Sequence, residues 1–163
     1  MRAIRRSKEY QALIETLVEK KDPETGVSVF PTIKDLQCYA AMLGFQKGER
    51  RPLNKKADEL DDIQWVTFND KRCPPYIYLI ALAESQNIDV LKYDIESSKA
   101  EDGVEDMIKI FEEYANGGFL ILQHWLDKEP SDIYGASAII QGLKRDGFLC
   151  RKDAEQNFED VEF

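Results

Sequence analysis

Eight consecutive residues, Tyr76-Ile77-Tyr78-Leu79-Ile80-Ala81-Leu82-Ala83, carry no charged side chain. Read as a helix, the run is apolar on every side, and such a helix normally forms the buried centre of an all-α domain. Ser85-Gln86-Asn87 closes it. The flanking sequence supplies the helices that would surround it. Tyr10, Leu13, Ile14, Leu17 and Val18 recur at the spacing of a one-faced helix. Ser7 is a suitable N-cap, and Lys20 and Lys21 suit the negative end of the helix dipole. A second helix follows Pro31, with Thr32 as its cap, Asp35 in its first turn and Leu36, Tyr39, Ala40 and Leu43 on its apolar face. Gly44 reads as its C-terminal stop.

A third amphipathic segment carries Met107, Ile108, Phe111, Tyr114 and Ala115, and Asn116-Gly117-Gly118 interrupts it before Phe119 to Leu126. Glycine inside a helix costs about 1 kcal/mol relative to alanine. The pair therefore either ends a helix or lets another element come close, and close packing or a kink is the better reading. No strand or GK[ST] surrounds it, so a phosphate loop is not expected. The last helix is expected from about Ser131, with Ile133, Ala136, Ile140 and Leu143 on one face and Gly147 as its stop. Strand character is confined to Val27–Phe30 and Ile63–Phe68, which could pair as a small ribbon packed under helices. Asn69 to Arg72 reads as a turn and Asp94 to Gly103 as a mobile loop. The fold class expected is mainly α: a single compact helical domain of five or six helices with a small two-stranded β element. It would span residues 1–150, with an acidic C-terminal tail at 151–163.

Composition enters through charge. The chain of 163 residues has a net charge of −9, which excludes a uniformly basic nucleic-acid binder. The charge is unevenly distributed: residues 1–56 carry +5 and residues 57–163 carry −14. Such asymmetry points to a polar interaction surface. Lys47, Arg50, Arg51, Lys55 and Lys56 fall within ten residues, in the connection from Phe45 to Lys56, and Arg5 and Arg6 belong to a second basic group at the N-terminus. Together they form a candidate phosphate-binding set, because phosphate contact needs several Lys/Arg on one surface rather than a basic protein. The same charges equally serve to solvate a loop. No apolar run approaches the roughly 18 residues of a membrane helix, and the expected location is cytoplasmic.

Catalytic signatures are sparse. Cys38, Cys73 and Cys150 are widely spaced, form no CxxC pair and suggest neither disulfides nor zinc. The single histidine, His124, sits among apolar residues and reads as a core or surface residue. Asp58, Glu59, Asp61 and Asp62 precede the expected strand, but no Asp/Glu-x-Lys triplet follows. Glu112-Glu113 has no histidine three residues on, so a diiron pattern is missing. No catalytic residue, metal or cofactor is assigned.

Several strings carry a resemblance. They are Phe30-Pro31-Thr32-Ile33-Lys34-Asp35-Leu36, Ala40 to Phe45, Gly48-Glu49-Arg50-Arg51-Pro52-Leu53, Leu79 to Glu84 and, above all, Ile110-Phe111-Glu112-Glu113-Tyr114-Ala115-Asn116-Gly117-Gly118. In this order the chain resembles a small accessory family encoded with Dnd-type DNA phosphorothioation systems. The resemblance covers most of residues 1–126. It implies a bacterial protein associated with DNA sulfur modification or its paired restriction machinery, and it transfers no catalytic role. The partners expected are other proteins of that system and double-stranded DNA, with no membrane. Two readings follow: a non-enzymatic accessory protein touching the DNA backbone through the basic connection, or a protein–protein adaptor without DNA contact. For docking, the segment Glu112, Glu113, Tyr114 and Asn116 is the candidate.

Overall fold

The computed structural model describes residues 2–68, 76–88 and 98–149, with the side chains of 98–104 left aside. Six α-helices and one two-stranded antiparallel sheet occur among the described residues, as the expected fold class requires. Strand β1 (Ile4–Ser7) leads through a 3-10 turn into helix α1 (Gln11–Ile14), which widens into a π-helical turn at Glu15–Glu19. Ser7 caps this entry, its Oγ accepting the Glu9 N–H at 3.2 Å. Tyr10, Leu13, Ile14 and Leu17 are buried on the face the spacing predicts.

Helix α2 spans Ile33–Lys47. Thr32 caps it as expected: its Oγ1 accepts the Asp35 N–H at 3.2 Å and donates to the Asp35 carboxylate at 2.6 Å. Gly44 does not end the helix. The stop is Gly48, at φ 65°, in the left-handed region that favours glycine.

The sheet is built from other residues than those expected. Val27–Phe30 is irregular, and its Phe30 N–H binds the Leu17 carbonyl of the π-helical turn at 2.9 Å. Strand β2 is Leu60–Ile63 and pairs with β1, placing Arg5 opposite Asp62 and Arg6 opposite Asp61. Opposite charges across an antiparallel pair favour that register. Trp65–Phe68, expected as strand, forms the short helix α3. Its aromatic and β-branched residues favour a pleated surface only where one is available.

Helices α4 (Tyr76–Ser85), α5 (Ser98–Asp127) and α6 (Ala136–Arg145) complete the set. The expected loop is thus helical from Ser98 onward, while residues 94–97, the turn at 69–72, Cys73, Cys150 and the tail at 151–163 lie outside the described residues. The apolar helix α4 is not the centre. It buries Ile77, Ile80 and Ala81 but leaves Leu79 52% exposed. The centre is α5, in which every residue from Phe111 to Phe119 is buried. On α6 the inward face is Ala138, Ile139 and Gly142, the last against Trp125; Ala136 and Ile140, expected inside, are exposed, as is Ile133 before the helix.

Gly117 and Gly118 lie within α5 without interrupting it. They give the close-packing outcome. A Cβ on Gly118 would collide with the Ala40 carbonyl of α2, and one on Gly117 with the Glu49 carbonyl. From the other side, a Cβ on Gly44 would collide with the Tyr114 carbonyl. The two helices therefore meet backbone to backbone, a contact that side chains would hold apart.

Gly118→Ala must displace backbone, so it should destabilise the fold by about 3 kcal/mol or more, at the upper end for overpacking. Gly48→Ala meets nothing within 4 Å and should lose only about 1 kcal/mol, from the positive φ alone. Urea unfolding of both variants tests the ordering; equal losses would refute the backbone contact.

Candidate functional site

Of the candidate cations, Arg50, Arg51 and the backbone of Arg5 reach the candidate docking segment, on the flanks of the buried stretch of α5. Glu112 and Glu113 are neighbours on the helix, so their side chains leave it about 100° apart. Each holds a different part of the chain. Glu112, 5% exposed, takes a paired contact from Arg2, at 2.6 Å from Nη1 and 2.9 Å from Nη2. It also accepts the Arg5 backbone N–H at 2.6 Å, which ties β1 to α5. The Glu112 hydrogen bond raises the Arg2 pKa above the ordinary arginine value, against the effect of burial.

Glu113, 7% exposed, accepts Arg50 Nε at 2.7 Å, and its backbone carbonyl accepts the Arg51 N–H at 3.0 Å. Arg50 reaches a second carboxylate, Glu84 of α4, at 2.7 Å from Nη1. Glu84 also accepts the Tyr114 hydroxyl at 2.6 Å, and the Arg50 guanidinium lies 5.7 Å from the Tyr114 ring centre. Burial alone would lower the Arg50 pKa; Glu113 and Glu84 outweigh it and raise it. Asn116 completes the cluster, its amide donating to the Arg51 and Pro52 carbonyls at 3.4 Å each while its Oδ1 is buried without a partner.

The remaining candidate cations are also engaged. Arg51 pairs with Glu49 at 2.6 Å, Lys55 with Glu9 at 2.7 Å and Lys47 with Asp146 at 3.2 Å. In the sheet, Arg5 lies 3.6 Å from Asp62 and Arg6 2.7 Å from Asp61. Arg6 is only 6% exposed, with Nε and Nη1 unpartnered, and burial lowers its pKa despite Asp61 and Glu19. Lys56 is exposed and makes no ion pair among the described residues. Six of the seven candidate cations thus have a carboxylate of the described residues within 4 Å.

The docking candidates Glu112, Glu113, Tyr114 and Asn116 are all buried, and their polar groups bind this chain's own residues. They act as internal struts. Sequence reading did not foresee Arg2 and Glu84 as their partners, although Glu84 stands inside a string that carries the resemblance. His124 is exposed on α5, and Asp61 and Asp62 are tied to the β1 arginines. Among the described residues no three His, Cys, Asp or Glu side chains converge as a metal-binding group. Cys38 is buried, as expected of a residue on the packed face of α2. No helix among the described residues is long and apolar enough to cross a membrane.

The buried clamp and the exposed pairs should differ in worth. Glu112→Gln leaves Arg2 and the β1 backbone short of a carboxylate and should cost about 2–3 kcal/mol, below the full value for a wholly buried pair because Arg2 is partly exposed. Arg51→Ala removes an exposed pair and should change stability by less than about 1 kcal/mol. Denaturant midpoints measure both; equal effects would refute the assignment of Glu112 as a clamp.

Buried phenols add a pH signature. Burial, then hydrogen bonding to Glu84, pushes the Tyr114 pKa up to about 12; burial, then the charge of Glu9, does the same for Tyr10. The unfolded chain ionises its tyrosines near pH 10, so between about pH 10 and 12 it holds fewer protons than the folded one and stability falls as pH rises. Stability from these groups is complete below pH 10. Burial raises the Tyr39 pKa as well, so a titration at 295 nm should show three phenols ionising late, together with alkaline unfolding in that window; uniform ionisation near pH 10 in the folded protein would contradict it.

The model of a family described as DNA sulphur modification system-associated protein 4 matches residues 3–161. No curated protein and no solved structure matches the chain.

Proposed function

We propose that this chain, which belongs to the DNA sulphur modification system-associated protein 4 family, is a non-enzymatic accessory protein of the bacterial cytoplasm. It works by docking on larger proteins of the DNA sulphur modification or paired restriction machinery. The observation that carries this reading is the pairing of the candidate cations: Arg5, Arg6, Lys47, Arg50, Arg51 and Lys55 each have a carboxylate of the same chain within 4 Å. A phosphate backbone would have to compete with those carboxylates for every arginine. Lys56 alone is a weak anchor, since each neutralised phosphate contributes only one increment of the salt-dependent affinity. Protein docking needs none of these pairs to open.

Direct contact with the DNA backbone through Lys47, Arg50, Arg51, Lys55, Lys56, Arg5 and Arg6 is the rival that the same experiment separates. In a low-salt gel-shift series, wild type and the Arg50→Ala, Arg51→Ala double variant should bind DNA equally weakly. The tagged chain should co-purify with another protein of the system after nuclease treatment and in about 0.5 M salt, where charge attraction is screened beyond a few ångströms. Tight DNA binding by wild type that the double variant loses, with no protein retained, would replace docking by DNA contact.

A further inference from the structure

Helix α4 lies mainly on α5 and over a shorter stretch on α2. It buries Ile77, Ile80 and Ala81, while Leu79 and Ala83 face solvent. The α5 stretch from Phe111 to Phe119, by contrast, is buried at every residue. Apolar contact thus holds α4 along one narrow stripe, and elements with few buried contacts are the ones that open below the global stability.

Among the described residues, both polar ties from α4 to its neighbours end on one side chain. Glu84 accepts Arg50 Nη1 at 2.7 Å, from the loop after α2, and the Tyr114 hydroxyl at 2.6 Å, from α5. The side chains of Glu84 and Arg50 are 32% and 36% exposed, so water reaches the pair. Two residues beyond Glu84 stands Gln86, at φ 52°, the single non-glycine residue in the left-handed region among those described. Its Cβ crowds the following carbonyl in that conformation, and such strain persists only where neighbouring contacts hold it. Its own N–H binds the Leu82 carbonyl at 2.8 Å, and the ties at Glu84 lie one turn away or less.

Parting α4 from this catch orphans no charge. Arg50 holds Glu113 through Nε and Glu84 through Nη1, so it stays paired when Glu84 leaves. Glu84 itself turns to water. The costly event for an ion pair is a buried charge left without any partner, and it does not arise here.

We infer that α4 is a hinged helix, which lifts from α5 and α2 as a unit while the backbone contact between those two stays closed. Glu84 is its catch, and the strained turn at Gln86 is where the chain bends. Lifting uncovers the sides of α5 and α2 beneath Ile77, Ile80 and Ala81, together with the Tyr114 hydroxyl. A two-state element of this kind is what a binding event can bias. The device does not depend on which partner the chain docks on.

Hydrogen exchange of the intact chain, read by mass spectrometry and corrected for intrinsic rates, tests the hinge. In wild type the amides of residues 80–85 should exchange about tenfold faster or more than those of residues 111–119. Glu84→Gln should speed the α4 amides by about another fivefold and leave the α5 amides within about twofold. Gln86→Gly removes the strain and should slow the α4 amides about threefold. Should Glu84→Gln fail to fold, the comparison of wild type with Gln86→Gly decides alone. Equal protection of α4 and α5 in wild type would overturn the hinge, because α4 would then open only with the whole fold. So would Glu84→Gln if it sped both helices alike or left α4 unchanged.

Discussion

Backbone contact between α2 and α5 is the constraint on which the rest of the molecule depends. Gly44 and Gly118 remove the side chains that would hold these helices apart, and Gly117 makes room for Glu49 just beyond α2. With the helices this close, the loop after α2 lies directly on α5, and Arg50 comes within reach of Glu113. The same proximity buries Glu112 and Glu113, and a buried carboxylate is tolerated only where a cation or N–H meets it. Close packing and ion pairing are therefore one arrangement: the first creates the demand that the second satisfies.

What could be read from the chain follows the range of the forces involved. Caps are local, so Ser7 and Thr32 were legible as helix starts. So was the close-packing role of Gly117-Gly118, because a glycine pair in a helical pattern has few other uses. Gly44 was misread as a stop, since its reason is Tyr114, seventy residues away. Ile63–Phe68 has strand-forming residues, yet β1 pairs with Leu60–Ile63 instead, where Asp61 and Asp62 face Arg6 and Arg5. That choice is made by cross-strand charge and not by propensity.

The centre of the fold was misplaced for a related reason. Hydrophobicity marks α4 as the innermost helix, but the fully buried stretch is Phe111 to Phe119, which contains two glutamates and an asparagine. Polar residues enter a core when the fold supplies partners, and those partners are arginines near the N-terminus and after α2. The charge asymmetry of the sequence, which suggested a surface for phosphate, is in large part the two halves of these internal pairs. Arg50, Glu84, Glu112 and Glu113, which stand inside the strings that carry the family resemblance, belong to these pairs.

The Arg2–Glu112 clamp joins residues 110 positions apart. During synthesis the first strand emerges long before the helix that receives it, and its partner strand also lies more than fifty residues downstream. Non-local closure of this kind slows folding and lengthens exposure to wrong partners, so the edge of the small sheet depends on residues that the chain brings together from far apart.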